Sequence, residues 1–195
     1  GESYSTWIQR INKLRVSAPE VIICNGTIWN IKNRTSIFTQ AGKFLYDSQV
    51  NLLFKQFCAL VSYYDPKYEL PSDKRFASGI FNKKRLYSDI LLHNFTDFWA
   101  LASFNERLFT SCSEYKIQHT VMQLITFVLN NNNWRVIANF ELEFQLLAEA
   151  APNHYMETIQ QCLHNKDSGL AQYLHESETG ITKTQYGIPL CRSLA

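Results

Sequence analysis

The chain has 195 residues, of which 46% are apolar and 18% are charged, and its net charge is +2. This composition excludes an intrinsically disordered chain, because it supplies enough apolar side chains for a substantial core. It lacks the clearly basic balance of most nucleic-acid-binding domains, and no run approaches the roughly 18 to 20 apolar residues that a membrane span needs.

The first 45 residues are predicted to form a small unit of helix, β-hairpin and helix. Apolar residues recur at helical spacing in residues 4–15. Two β-rich runs then flank Asn25-Gly26, a dipeptide suited to a type I′ turn. The strand pairs expected from a two-residue loop there are Cys24 with Thr27 and Ile22 with Trp29. Thr35 can cap a short helix that Gly42 ends, so residues 1–45 are predicted to be a winged-helix-like unit.

Residues 46–195 are predicted to be helical throughout and to continue beyond the C-terminus. Asp47 can cap a helix over 47–64, and Pro66 and Pro71 make "DPKYELPSD" a loop. A long helix is predicted from about Lys83 to Phe109, with Asn82 as its cap. Its inward-facing residues are expected to be Leu86, Ile90, Leu91, Phe98 and Leu101. The next helix, from about Glu114 to Leu129, is expected to bury Ile117, Val121, Leu124, Ile125 and Val128.

The last part of the sequence predicts short antiparallel helices with tight connections. "NNNN" at 130–133 is a polar turn, and "RVIANFELEFQLLAEAA" is predicted to be one helix. Pro152 begins the next helix, Asp167 or Ser168 caps another, and Pro189 begins a last one of about two turns. The predicted fold class is therefore mainly α, with stacked antiparallel helices of a helical-repeat-like kind and one small N-terminal β-hairpin.

The five cysteines are scattered, lie in apolar surroundings and never form C-x-x-C. They are Cys24, Cys58, Cys112, Cys162 and Cys191. This usage predicts free buried thiols in a reducing compartment, and "GESYSTWIQRI" has no signal-peptide layout, so we expect a cytoplasmic protein. The N-terminal glycine and the abrupt last helix predict a piece of a longer chain.

Motifs for catalysis, cofactors and metals are missing or incomplete. The Gly42-Lys43 pair lacks the earlier glycine and the following hydroxyl of a phosphate-binding loop. The nearest approaches to metal-ligand spacing are His154 with Glu157 and Cys162 with His164, which are better interpreted as ordinary helix residues. A cysteine–histidine nucleophile pair assembled in space stays open, although nothing in the sequence favours it. We predict no catalytic residue, no cofactor and no metal.

A basic cluster is the remaining candidate site. Five of the 19 basic residues lie in Lys74–Arg85, among aromatic residues. The proposed partner-binding residues are Arg75, Lys83, Lys84 and Arg85. In the alternative interpretation the aromatic residues pack inward and the charges stay solvated, with Asp89 as an i,i+4 partner for Arg85. Cations in the predicted first helical turn oppose the helix dipole, which indicates a partner inside or outside the chain.

Four stretches resemble, in the same order, the region that follows the nucleotide-binding core in large bacterial STAND-type NTPases, including the Avs antiviral group. They are "GTIWNI", "PKYELPSDKRFASGIFNKKRLYSDIL", "FQLLAEAAPNHYMETIQQCLHNKDSGLAQYL" and "YGIPLCRSLA". The resemblance runs from about residue 21 to residue 195. It departs from the family pattern at residues 30–38 and in the asparagine-rich turn.

The resemblance implies that an intact protein couples an N-terminal effector domain and a central ATPase to a helical-repeat sensor of a phage protein, such as terminase or portal. This chain then is a non-catalytic binding segment after the ATPase, with oligomerisation of the parent protein left open. The alternative hypothesis is a winged-helix-type nucleic-acid-binding domain, with the hairpin as its wing and the basic cluster on phosphates. Salt-dependent binding to duplex DNA distinguishes the two.

Overall fold

The structure is a computed structural model that describes residues 3–17, 22–26 and 28–178. The predicted helix at Pro189, and Cys191, lie outside the described residues. Over the described part the chain is mainly helical, as predicted. It divides into two compact units, one of Gly1–Tyr46 with Arg107–Cys112 and one of Asp47–Glu106 with Ser113–Ala195. The predicted boundary after residue 45 lies close to the first division, but segment 107–112 was not expected in the N-terminal unit.

The described residues of the first unit form two α-helices and two short strands. They are α1 (Tyr4–Ser17), β1 (Ile22–Asn25), β2 (Ile28–Ile31) and α2 (Arg34–Ala41), followed by a 3-10 turn at Gly42–Phe44. Asn33 caps α2 by accepting from the Ser36 amide at 3.1 Å, so the predicted cap at Thr35 is wrong. Gly42 follows α2 as predicted, and a Cβ there would lie 2.8 Å from the Leu108 carbonyl oxygen of the same unit.

The predicted strand register is wrong. β1 and β2 pair antiparallel, with Cys24 opposite Trp29 and Ile22 opposite Ile31. Asn25 still belongs to β1, where it pairs with Ile28, and Gly26 has the positive φ of 64°. The turn therefore begins one residue later than expected. Among the described residues no further strand joins this ribbon, which is marginal on its own. The predicted winged-helix-like unit is not supported.

The second unit holds seven α-helices among the described residues. They are α3 (Asp47–Val61), α4 (Asp89–Phe104), α5 (Lys116–Leu129), α6 (Trp134–Ala138), α7 (Phe144–Ala150), α8 (Pro152–His164) and α9 (Gly169–Glu178). The predicted loop over 65–73 contains a 3-10 turn at Pro66–Glu69, and a second one follows at Ser72–Ala77. Pro152 begins α8, and Ser168 caps α9 by accepting from the Ala171 amide at 3.1 Å, both as predicted.

In the second unit, three pairs of helices that are three apart in sequence order pack against each other. α4 packs on α7, α5 on α8 and α6 on α9, and α3 also packs on α5. All five residues predicted to face inward on α5 are buried, which places this helix in the core. Its apolar period of 3.6 residues explains why the sequence located it well. No helix in the described part of the chain is long and apolar enough to cross a membrane.

The predicted long helix from Lys83 is wrong. α4 begins only at Asp89, where the Ser88 hydroxyl caps it by accepting from the Leu91 amide at 3.2 Å. Asn82, the predicted cap, lies in a turn with a φ of 55°. The buried face of α4 consists of Leu92, Thr96, Trp99 and Ala102. Leu86, Ile90 and Leu91, which were predicted to face inward, are exposed.

The predicted helix over 135–151 is also wrong, because it is broken into α6 and α7. Asn139 ends α6, where its side-chain amide donates to the Tyr63 carbonyl at 3.2 Å and accepts from the Asp65 amide at 3.2 Å. The turn that follows buries Phe140 and Glu143. Contacts with the 63–65 loop therefore override a helical pattern that looks continuous in sequence.

The described cysteines are free thiols, as predicted, but of these only Cys162 is buried. Cys162 donates to the Asn130 side-chain oxygen at 2.9 Å, and burial raises its thiol pKa. Cys58 is half-buried, and the loss of solvation raises its pKa to about 11. Thiols with raised pKa values carry little thiolate near neutral pH and so are poor nucleophiles.

Candidate protein-binding surface

Arg75, a predicted contact residue, is buried inside the second unit with only 8% of its surface exposed. Its Nε donates to the Leu70 carbonyl at 3.1 Å, and its Nη2 lies 3.3 Å from Glu176 Oε2. The guanidinium also lies over the Trp134 and Tyr68 rings, 5.1 Å and 5.7 Å from their centroids. These contacts make Arg75 part of the packing that fixes the Ser72–Ala77 turn, which leaves it little access to a partner.

Lys83 and Arg85 are paired within the chain. Lys83 Nζ lies 2.5 Å from Glu69 Oε2, and the Lys83 amide donates to the Ser78 carbonyl at 3.0 Å. Arg85 forms the predicted i,i+4 pair with Asp89. Both residues precede α4, so the prediction that they oppose its dipole from the first turn is wrong. Their charges are already met by carboxylates.

The Glu69–Lys83 pair predicts a measurable titration. The hydrogen bond from Lys83, and then the one from the Tyr64 hydroxyl, lower the pKa of the Glu69 carboxyl. The pair therefore stabilises the fold above the usual carboxyl pKa, and that contribution is lost as the pH falls through the lowered pKa. We expect Lys83→Ala to raise the pKa of Glu69 in a carboxyl NMR titration, whereas Lys84→Ala leaves it unchanged. A Glu69 pKa that stays low in Lys83→Ala contradicts the pairing.

Lys84 and Lys74 are the basic residues that stay exposed in this segment. Lys84, a predicted contact residue, has no ion pair among the described residues. Lys74 Nζ lies over the exposed Phe81 ring, 6.0 Å from its centroid. Of the four predicted contact residues, Lys84 alone is both exposed and without an ion pair among the described residues.

The apolar side chains of the same segment point outward. We call the set the 76–91 surface, and it consists of Phe76, Ile80, Phe81, Leu86, Ile90 and Leu91. Phe76 is 90% exposed, Ile80 85%, Ile90 71% and Leu86 65%. Burying a side chain of this size stabilises a protein by about 1.5–3 kcal/mol. These side chains do not contribute that stabilisation while they are exposed to solvent. Sequence reasoning missed this surface because it assigned Leu86, Ile90 and Leu91 to the core.

An open groove of about 620 Å³ lies between α3, α5 and α8. Phe54, Met122 and Phe127 supply its apolar side chains, and His119 and His154 lie among them. His154 Nε2 is already within hydrogen-bonding distance of Thr126 Oγ1 at 2.8 Å and of the Met122 carbonyl oxygen at 3.1 Å. The ring of His154 is thus held by hydrogen bonds to α5, the helix that it faces.

Cys162 and His164, whose spacing suggested metal ligands, are hydrogen bonded to other groups of the chain. Cys162 hydrogen bonds to Asn130, and His164 Nδ1 lies 2.6 Å from the Gln160 carbonyl oxygen of its own helix. Elsewhere, His93 Nδ1 lies 2.9 Å from Oε2 of the buried Glu143. Across residues 3–17, 22–26 and 28–178, no three histidine, cysteine or acidic side chains are grouped so that they could hold a metal ion.

Comparison of the chain with protein-family models, with curated proteins and with solved structures gives no match.

Proposed function

We propose that this chain is a non-catalytic protein-binding module whose contact surface is the 76–91 surface. The observation that carries the proposal is an inverted pattern of burial in one short segment. The guanidinium of Arg75 is buried, whereas the neighbouring Phe76 is almost fully exposed. Globular proteins seldom bury Arg, and several large apolar side chains exposed within one segment are typical of an interaction site.

The segment is also held in place, which favours binding over accidental exposure. Arg75 and Lys83 tie it to Glu176 and Glu69, and Arg85 pairs with Asp89 within the segment. The Tyr87 ring packs edge-on against Tyr63 at 5.6 Å. A surface ordered before binding loses less conformational entropy when a partner arrives.

The packing of helices three apart supports a helical-repeat arrangement, in which adjoining units build a continuous core. The sequence resemblance adds the biological part of the proposal, namely a sensor segment of a bacterial cytoplasmic STAND-type NTPase in anti-phage defence. A phage protein such as terminase or portal is then the partner. That part rests on the resemblance alone.

Selection of displayed random peptides on the whole chain tests the proposal. We expect enriched peptides to bind at least about tenfold more weakly to the Phe76→Ser/Ile80→Ser double variant, because tenfold corresponds to about 1.4 kcal/mol and each side chain buries more than that in a good contact. Fluorescence anisotropy with labelled peptides measures the loss. Phe104→Ser is the matched control, because Phe104 is 88% exposed on the same unit but outside the 76–91 surface.

The double variant is expected to keep the wild-type melting temperature, since both side chains are exposed in the free protein. Enriched peptides that bind it as tightly as the wild type contradict the proposal, because their site then lies elsewhere, for example in the α3/α5/α8 groove. A selection that enriches no binding peptide also contradicts it.

The alternative of a nucleic-acid-binding domain has weaker support. Three of the five basic residues in Lys74–Arg85 are paired with carboxylates, which leaves Lys74 and Lys84 for phosphates. Two phosphate contacts give a slope of only about −2 for log affinity against log salt. Submicromolar binding of duplex DNA with a much steeper slope establishes this alternative instead.

A further inference from the structure

The unpaired charges around the 76–91 surface indicate what kind of segment it accepts. Lys74 and Lys84 are exposed and have no ion pair among the described residues. Lys74 places its ammonium beside the Phe81 ring, and Lys84 lies between Phe81 and Leu86 in the chain. The exposed Asp73 precedes Lys74 in the chain and, like Lys74, is not one of the six residues of the surface. Two lysines that form no ion pair with a carboxylate among the described residues therefore accompany the apolar side chains.

The number of free cations favours a protein over a lipid bilayer. Recognition of anionic membranes by basic segments uses clusters of roughly four to eight Lys and Arg. This segment has a comparable number in its sequence, but the structure neutralises Arg75, Lys83 and Arg85. Two lysines, partly offset by Asp73, make a weak field but can each meet one carboxylate at the rim of an apolar contact.

We infer that the 76–91 surface binds an amphipathic peptide segment of another protein, with apolar anchors flanked by acidic residues. The anchors cover Phe76, Ile80 and Leu86, and the carboxylates pair with Lys74 and Lys84. This inference rests on the proposed function and deepens it. Aromatic and aliphatic anchors supply the affinity, whereas rim charges of this kind chiefly select the partner and speed its association.

A charge-swap selection tests the inference. Displayed random peptides are selected in parallel on the wild type, on Lys74→Glu/Lys84→Glu and on Lys166→Glu. We expect apolar peptides rich in Asp and Glu from the wild type and from Lys166→Glu, and apolar peptides rich in Lys and Arg from the double variant. Lys166 is the matched control because it is exposed in the turn before α9.

Binding of one wild-type-selected peptide then gives the magnitude. We expect anisotropy titrations to show about tenfold weaker binding to Lys74→Glu/Lys84→Glu, because two attractive pairs become repulsive, and unchanged binding to Lys166→Glu. The difference is expected to shrink at high salt, since exposed pairs are screened.

Different experimental outcomes contradict the inference and the proposed function. If enriched peptides depend on Phe76 and Ile80 but are neutral, or keep the same charge on the swapped variant, the inference is wrong and the proposed function stands. If the peptides do not depend on Phe76 and Ile80, both are wrong. Binding of phosphatidylserine vesicles that Phe76→Ser/Ile80→Ser abolishes overturns the inference in favour of a membrane. A concentration-dependent dimer in sedimentation that the same variant abolishes overturns it in favour of a second copy.

Discussion

Replacing Arg75 with alanine is expected to lower the free energy of unfolding by about 2–4 kcal/mol. The guanidinium donates to the Leu70 carbonyl and pairs with Glu176, and both contacts are lost in the variant. Its stacking on Trp134 and Tyr68 is lost as well. Glu176 is partly exposed, so its charge regains water, and the loss of Arg75 packing dominates the effect.

Urea denaturation of Arg75→Ala and Lys84→Ala measures the difference. Lys84 is exposed and lacks an ion pair among the described residues, so its removal is expected to change the stability by less than about 0.5 kcal/mol. Arg75→Lys is expected to recover only part of the loss, because an ammonium cannot reproduce both hydrogen bonds and the stacking. Equal stability of Arg75→Ala and the wild type contradicts the buried role and returns Arg75 to the set of contact candidates.

The sequence predicted helices well where the buried face follows an uninterrupted period. α5 is the best example, since its five predicted core residues are all buried. α8 was located because Pro152 marks its start, and α9 because Ser168 can cap it. In these cases local chemistry and tertiary packing favour the same helix, so a single sequence is sufficient.

The start of α4 was missed although a local signal was present. Ser88 followed by Asp89 is a good helix beginning, with a capping hydroxyl and an acidic residue in the first turn. The apolar residues from Leu86 onward instead suggested a helix that had already begun. The resulting shift placed Ile90 and Leu91 in the core, whereas Leu92 and Trp99 occupy it.

The candidate surface could not be predicted in full, because it depends on contacts that are distant in sequence. Arg75 is buried by Glu176, which lies 101 residues away, and by Trp134. In the sequence, a basic residue beside aromatic residues resembles a contact site, and only the structure shows that a distant carboxylate pairs with it. Because Arg75, Lys83 and Arg85 are paired with carboxylates, the exposed apolar side chains are the unusual feature of the segment. Of the four predicted contact residues, Lys84 is the one that stays exposed without an ion pair among the described residues.

Replacing Gly169 with alanine is expected to lower the free energy of unfolding by about 3 kcal/mol. Gly169 is the first residue of α9 and is buried. A Cβ there would collide with the Asn131 carbonyl oxygen and would lie 3.0 Å from the Asn132 carbonyl carbon. Both are backbone atoms of the turn between α5 and α6, so relief requires a shift of α9 against α6, on which it packs.

Gly79→Ala is the matched control, because a Cβ at Gly79 meets no atom within 4 Å and its φ is not in the left-handed region. We expect it to leave the stability unchanged or to raise it slightly, since alanine restricts the unfolded chain. Thermal unfolding compares the two variants, and hydrogen exchange locates the damage. Faster exchange in α6 and α9 of Gly169→Ala, with α3 and α5 still protected, is the expected pattern. A Gly169→Ala melting temperature equal to that of Gly79→Ala contradicts the close approach, and with it the packing of α9 that positions Glu176 beside Arg75.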